Sequence, residues 1–311
     1  MKILVTGGTG FIGKPLVRGL AALGHDVTVF AREDDIDRPD NVKIALGDIT
    51  KKHTLRKIFP KIDAVYHLAA CNDEDDPNLT NVNVNGTQKV VEFAKEKKVK
   101  QFVFVSYGGV LGESRTPVKE HSRYAPKTKF DKSKAAAERI VKNSGLAYTI
   151  IRSPTVLGAN LKWKQIFDSV KDGNPIVGKG NNKFHVVHVD DMVRILLHVL
   201  DNKKAEDHIF NIAAKDVMTY KEFHDTMRKL LRVKGQQTFL STRIANLLSR
   251  IHWYKTAIEA KPTSPHLSRS FIDMVTRDCV LSIQKAKDVL GFEPYYTTPA
   301  ALDMTIRDVN Q

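Results

Sequence analysis

The sequence predicts a doubly wound α/β fold, a parallel sheet with helices on both faces, joined to a smaller, mostly helical C-terminal lobe. Three observations predict it. A short apolar run, Lys2-Ile3-Leu4-Val5, leads into a glycine-rich string, Thr6-Gly7-Gly8-Thr9-Gly10-Phe11-Ile12-Gly13. Strand-like apolar runs then alternate with amphipathic helical stretches, which implies parallel pairing through right-handed crossovers. Finally, 311 residues at 42% hydrophobic and 27% charged make an ordinary globular composition. That length allows a large core, and no apolar stretch approaches the roughly 18 residues of a spanning helix.

The elements follow in order. After a strand at 2–5, positions 11–23 read as a helix with an apolar face of Phe11, Leu16, Leu20 and Leu23, ended by Gly24. Strand 26–30 is followed by strand 64–68 with helix 85–96, strand 101–105 with helix 131–143, and strand 147–151. Beyond Gly158 the rhythm weakens. Helices are expected at 162–172 and 190–200, a short strand at 208–212, and helices at 220–231, 241–258 and 284–290. No parallel-strand series is evident toward the C-terminus. The expected division is a dinucleotide-binding domain over 1–158, rejoined by 188–214, and a substrate lobe from 159–187 and 215–311. That lobe would lie over the carboxyl ends of the strands, where α/β sheets bind ligands.

Gly7, Gly10 and Gly13 sit between the first strand and the first helix, the context a dinucleotide site requires. There a glycine makes the tight turn, a second lets backbone approach the pyrophosphate, and a third lets helix and strand pack closely. The helix start then offers amides and a positive dipole end to phosphate. At the end of the second strand an acid would bind the ribose 2′-OH and an arginine a 2′-phosphate. Arg32 holds that position and favours NADP(H); Glu33 beside it keeps NAD(H) open.

These residues resemble a known family. The 6–13 string is similar to the fingerprint of extended short-chain dehydrogenases/reductases, the NAD(P)-dependent epimerase/dehydratase group, whose fold is a Rossmann sheet. Further matches are Gly47-Asp48, the run DAVYHLAA at 63–70, NVNGT at 83–87, Arg152-Ser153-Pro154, VHVDD at 187–191 and LGFEP at 290–294. The C-terminal stretch most resembles the 3β-hydroxysteroid dehydrogenase and dihydroflavonol reductase branch. The resemblance implies a cofactor held by Gly7, Thr9, Gly10, Phe11, Ile12 and Gly13, with Arg32, Asp48 and Ile49 toward the adenosine. Asp48 would accept from the adenine amino group. Leu68, Ala69 and Ala70 would line the cofactor, Asn83 would help hold the active-site helix, and Pro154 would flank the nicotinamide. His188 and Asp191 would organise the junction between the lobes.

At the catalytic centre the sequence departs from this family. Its members use a Ser/Thr after the fifth strand and a Tyr-x-x-x-Lys pair on the next helix, where the tyrosine exchanges the proton and the lysine binds the nicotinamide ribose. Here the pair reads Phe130-Asp131-Lys132-Ser133-Lys134. Lys134 remains, but a phenyl ring has no exchangeable proton. In the aligned strand end, Tyr107 takes the Ser/Thr position, with Ser106 adjacent. Tyr107 is therefore either a relocated proton donor or a packing residue. Tyr124 is a weaker substitute.

The chain carries a net charge of +14. Basic residues crowd the C-terminal lobe: Arg228, Lys229, Arg232, Lys234, Arg243, Arg250, Lys255, Lys261 and Arg269. Along 241–258 they flank an apolar face of Ile244, Leu247, Leu248, Ile251 and Ile258, with Trp253 and Tyr254 near one end. Such a helix can bury that face in its own protein, cap a pocket for a lipid-like or phosphorylated substrate, or lie on an anionic membrane or a partner complex. No base-reading motif supports nucleic acid. The acidic run at 73–76 reads as a solvated loop, or as a lip that attracts cations. Cys71 and Cys279 lie far apart and without metal-ligand spacing, so neither a disulfide scaffold nor a metal site is expected. Met1 is followed at once by the first strand, with no secretory h-region or cleavage site, so the cytoplasm is expected. Two functions compete: an NADP(H)-dependent oxidoreductase or epimerase-like enzyme on a nucleotide-sugar, sterol or lipid-like substrate, and a non-catalytic dinucleotide-binding scaffold or accessory subunit.

Overall fold

In the computed structural model, which describes all residues except 35–37, 57, 59–60, 260–267 and 311, seven strands form one all-parallel sheet. They are β1 (Lys2–Thr6), β2 (Asp26–Ala31), β3 (Lys43–Leu46), β4 (Ala64–His67), β5 (Gln101–Tyr107), β6 (Tyr148–Ser153) and β7 (His208–Asn211). The spatial order is β3-β2-β1-β4-β5-β6-β7. Chain direction across the sheet reverses between β1 and β4, and such a switch point opens a crevice beyond the strand ends. Strand β3 is absent from the sequence reading. Its four residues are half-exposed at the sheet edge, so no apolar run marks them.

Helices α1 (Gly13–Ala22), α2 (Thr87–Glu96) and α3 (Lys129–Lys142) cover this sheet, and α4 (Leu161–Lys171) and α5 (Val189–His198) follow in the chain. The first helix starts at Gly13, so Phe11 and Ile12 belong to the glycine turn. Leu16 and Leu20 are fully buried, but Leu23, expected on the same face, is 60% exposed one residue past the helix end. The second helix is preceded by a π-helical turn at Asn81–Gly86. Apolar residues from β1, α1 and α5 form the core on one side of the sheet, and those from β5, α2 and α3 the core on the other.

The smaller lobe contains α6 (Tyr220–Leu230), α7 (Thr242–Glu259), α8 (Arg269–Thr276), α9 (Gln284–Leu290) and α10 (Thr298–Val309), with short strands that the sequence did not reveal. Cys279–Leu281 runs parallel to both Ser114–Val118 and Lys183–Phe184, which brings lobe residues to the end of β5. The described part of the α7 apolar row, Ile244, Leu247 and Leu248, faces outward. Ala245 is buried, whereas Ile244 and Leu247 are 50% and 58% exposed. The side chains of Ile251, Trp253, Tyr254, Lys255 and Ile258 lie outside the described residues, as does Lys261. No described helix is long and apolar enough to cross a membrane.

Candidate active site

The crevice is built from backbone. Gly7 has φ of 73°, and a Cβ there would stand 2.5 Å from the Ala69 amide nitrogen, so the turn is pressed onto the exit of β4. A Cβ at Gly13 would stand 2.0 Å from the Gly7 carbonyl oxygen. Gly10 differs: it is exposed, and only the Gly7 oxygen, at 3.2 Å, is near its Cβ position. Protein packing accounts for Gly7 and Gly13, while Gly10 leaves room for a ligand. The α1 N-terminus carries no side-chain cap; the Lys14 amide donates to the Gly10 carbonyl and the Leu16 amide to the Ile12 carbonyl, and Pro15 has no N–H, so the Gly13 amide is the one left at the helix start. Thr9, Phe11 and Ile12 are half-buried around it, as are Leu68 and Ala69 opposite, and Ala70 is exposed.

Toward the adenosine end, Arg32 is exposed just past β2. Asp48 accepts from both the amide and the hydroxyl of Thr50, each at 2.8 Å. Burial pulls its carboxyl up, but the Thr50 bonds, with Lys51 and Arg32 nearby, outweigh this and hold it below the ordinary carboxylate value. The group is a fixed anionic acceptor. The Ile49 side chain is buried in the core against Gly86.

A buried polar ladder links the crevice to α3. The Thr6 hydroxyl pairs with His67 Nδ1 at 2.6 Å, and His67 Nε2 with the Thr87 hydroxyl at 2.9 Å. Thr87 in turn donates to the Asn83 carbonyl. Burial, then the Lys134 charge, pushes the His67 imidazole down to about 3, so it stays neutral. The Asn83 amide donates to Ser133 Oγ and the Cys71 carbonyl and accepts from the Cys71 amide. These bonds tie Asn83 to α3 through Ser133 and to the segment after β4 through Cys71.

At the reaction end, β5 closes with Tyr107, and α3 presents Phe130 and Lys134 one turn apart. The Tyr107 and Phe130 rings lie 5.5 Å apart at 51°. Pro154 follows Ser153, which pairs in register with Tyr107. Burial pushes the Tyr107 phenol up; Cys279, Asp131 and Asp273 add to this and Arg277 opposes it. Lys134 is 4% exposed, donates to the Val105 carbonyl at 2.7 Å and lies 4.1 Å above the Phe104 ring. Burial lowers its pKa to about 7.

That lowered value has a consequence for stability. An unfolded lysine titrates near 10.5 and the folded one near 7, so between them the unfolded state holds more protons and stability rises with pH. Below about pH 7 the folded state bears the full cost of the buried ammonium. Lys134→Met therefore raises the melting temperature most at roughly pH 6, and the gap closes toward roughly pH 10. A gap that does not change with pH contradicts this.

Three more residues, Glu74 from the acidic run, Asp131 and Arg277, complete the site. Glu74 is buried, not part of a solvated acidic loop: its carboxylate accepts from the Lys129 and Phe130 amides at 3.0 and 2.8 Å and caps α3. Asp131 is 1% exposed and closes a capping box with Thr128. Its Oδ2 accepts from Arg277 Nη2 at 2.9 Å, while its Oδ1 is buried without a partner beside Gly109 and the Tyr107 ring. Arg277 thus latches the lobe onto the helix that carries Phe130. The Thr-x-x-Asp spacing is a capping signal in the sequence; Arg277, 146 residues away, has none.

Ser106 and Tyr124, the alternatives to Tyr107, share one acceptor. Ser106, on the opposite face of β5, donates to Glu138 at 2.5 Å, and Tyr124 donates to the same carboxylate at 2.7 Å. Arg152 grips Glu138 with two bonds, 2.9 and 2.6 Å, both side chains being at most 1% exposed. Ser106 and Tyr124 are therefore engaged beneath α3. At the lobe junction, Asp191 accepts from the Tyr295 and Tyr296 amides, and His188 caps α5. A cleft of about 670 Å³ opens between the α3 N-terminus and the lobe. Lys127, Lys129, Lys179, Arg269 and Arg277 line it, against Glu74, Glu113 and Asp273. A cavity of about 20 Å³ adjoins Tyr107, Arg277 and Cys279, room for about one water.

A family model described as the NAD dependent epimerase/dehydratase family matches residues 3–213. The chain is 26% identical to the UDP-glucose 4-epimerase of Vibrio cholerae, over 98% of this chain and 94% of that protein. It is 26% identical to a 3 beta-hydroxysteroid dehydrogenase/Delta 5-->4-isomerase of Mycobacterium tuberculosis, over 97% and 88%. Among solved structures, the UDP-glucose 4-epimerase of Thermotoga maritima with UDP-glucose matches at a TM-score of 0.79 and 22% identity, over 100% of this chain and 99% of that one. The dTDP-glucose 4,6-dehydratase of Bacillus anthracis in complex with NAD matches at 0.80 and 20%, over 100% and 96%.

Proposed function

The chain belongs to the NAD dependent epimerase/dehydratase family, and from that premise we propose what its altered site does. It is an NADP(H)-dependent oxidoreductase acting on a carbonyl or alcohol carbon of a nucleotide-sugar, sterol or lipid-like small molecule, with Tyr107 as the acid/base group. The observation that carries this reading is the Tyr107 ring set beside Phe130 at the end of β5.

The residues present fit the cofactor. Gly10 and the Gly13 amide at the uncapped α1 start would hold the pyrophosphate, and Asp48 the adenine. Arg32 meets a 2′-phosphate. When bound, the nicotinamide exchanges a hydride with the substrate carbon. The chain's own groups do the rest. Tyr107 holds the proton that the substrate oxygen gains on reduction or loses on oxidation, and the adjoining cavity gives that proton a water to pass to. Lys134 stands on the helix turn below and binds the nicotinamide ribose. Arg277, through Asp131, closes the lobe over the reacting carbon. The cationic lining of the cleft suits a substrate bearing phosphate, which puts nucleotide sugars first in the panel and sterols second.

Purified protein with NADPH and a panel of carbonyl substrates is expected to oxidise the cofactor. Tyr107→Phe is expected to cut turnover by about 100-fold or more, the usual worth of a positioned acid, with nucleotide affinity unchanged. Turnover unaffected by that change contradicts the role given to Tyr107. A second reading rests on Phe130: a nucleotide-binding scaffold, for which tight binding without turnover across the panel is the signature.

A further inference from the structure

Between residues 226 and 258 the chain has no acidic side chain, whereas Arg228, Lys229, Arg232, Lys234, Arg243, Arg250 and Lys255 are basic. Arg228 is used inside the lobe, donating to the Lys234 and Gly235 carbonyls. Lys229, Arg232, Lys234, Arg243 and Arg250 are exposed. Among these cations the described large apolar side chains of α7 turn outward. Ala245 and Ser249, one turn apart, face the protein at 0% and 9% exposure. Ile244, Leu247 and Leu248 stand 50%, 58% and 37% exposed, and Phe239, just before the helix, 51%. The helix is seated on its small residues and displays the row that a lone amphipathic helix would bury.

A contiguous exposed apolar row marks an interaction surface. The charge decides what covers it. Arg243 and Arg250 are seven residues apart, two turns along the same face as Leu247, with no carboxylate in the segment to compensate them. With no carboxylate between residues 226 and 258 to offset the exposed cations, the face complements an anionic lipid surface, which takes both at once, apolar side chains at the acyl boundary and cations among the headgroups. We propose that the outer face of α7, with Phe239 before it, docks this protein peripherally on an anionic lipid bilayer. Docking of this kind holds whether or not the active site turns over.

The test uses the full chain with sedimenting vesicles of phosphatidylcholine alone and of phosphatidylcholine mixed with phosphatidylserine. The protein is expected to pellet with the mixed vesicles, not the neutral ones, and to be released by salt. Leu247→Asp is expected to abolish pelleting, and the pair Arg243→Glu with Arg250→Glu to weaken it by about 10-fold or more. Both variants change exposed positions, and a thermal melt matching the parent protein confirms that they fold. Failure to pellet with anionic vesicles, or pelleting that Leu247→Asp leaves intact, overturns the proposal. So does a dimer in solution that Leu247→Asp dissociates while no vesicle is bound, which assigns the face to a second copy of the chain.

Discussion

Arg152→Met is expected to lower unfolding free energy by about 3–5 kcal/mol, the usual cost of stranding one member of a buried ion pair. Glu138 is fully buried and receives two bonds from the Arg152 guanidinium, at 2.9 and 2.6 Å. With Arg152 gone, the Ser106 and Tyr124 hydroxyls still reach the carboxylate, but the cation hydrogen-bonded to it is lost and only the buried Lys134 still acts on its charge. Replacing both members, Arg152→Met with Glu138→Leu, removes the stranded charge and is expected to recover more than half of the loss. Urea unfolding of the three variants measures the cycle. A single variant within about 0.5 kcal/mol of the parent contradicts it, being the size of an ordinary surface change. The pair also ties α3 to β5 and β6, so the same variant is expected to loosen the seat of Lys134 and Tyr107.

Gly13→Ala is expected to eliminate measurable nucleotide binding and to lower the melting temperature as well. Its Cβ would lie 2.0 Å from the Gly7 oxygen and 2.7 Å from the Gly8 Cα, both main-chain atoms that cannot rotate away. Overpacking of this kind costs about 1–3 kcal/mol and displaces the loop that would hold the phosphates. Gly10→Ala separates the two effects. Its Cβ would meet only the Gly7 oxygen at 3.2 Å, so the melting temperature is expected to hold while nucleotide affinity falls. Undiminished affinity in Gly10→Ala would place the pyrophosphate elsewhere.

The nucleotide half was legible because its signals are local. Gly7, Gly10 and Gly13 fall within one turn, and the β5-to-α3 and β1-to-α1 units each announce themselves by period. Edge strand β3 was not, since its residues are half-exposed and alternate weakly. The reaction end was legible in residue type, Phe130 for the family tyrosine, but not in geometry. Glu74 reaches α3 from 55 residues away and Arg277 reaches Asp131 from 146, pairings that no window of sequence contains. Helix α7 shows the opposite limit. Periodicity revealed its apolar row, yet seating on Ala245 and Ser249 depends on what the lobe leaves room for, and Ile244, Leu247 and Leu248 point outward.

Isothermal titration of the purified protein with NADP and with NAD bears most directly on whether the glycine crevice holds a pyridine nucleotide. Saturable, single-site heat is expected, stronger for the phosphorylated coenzyme because Arg32 stands at the end of β2. Absence of heat with both coenzymes would contradict the enzyme and the scaffold alike.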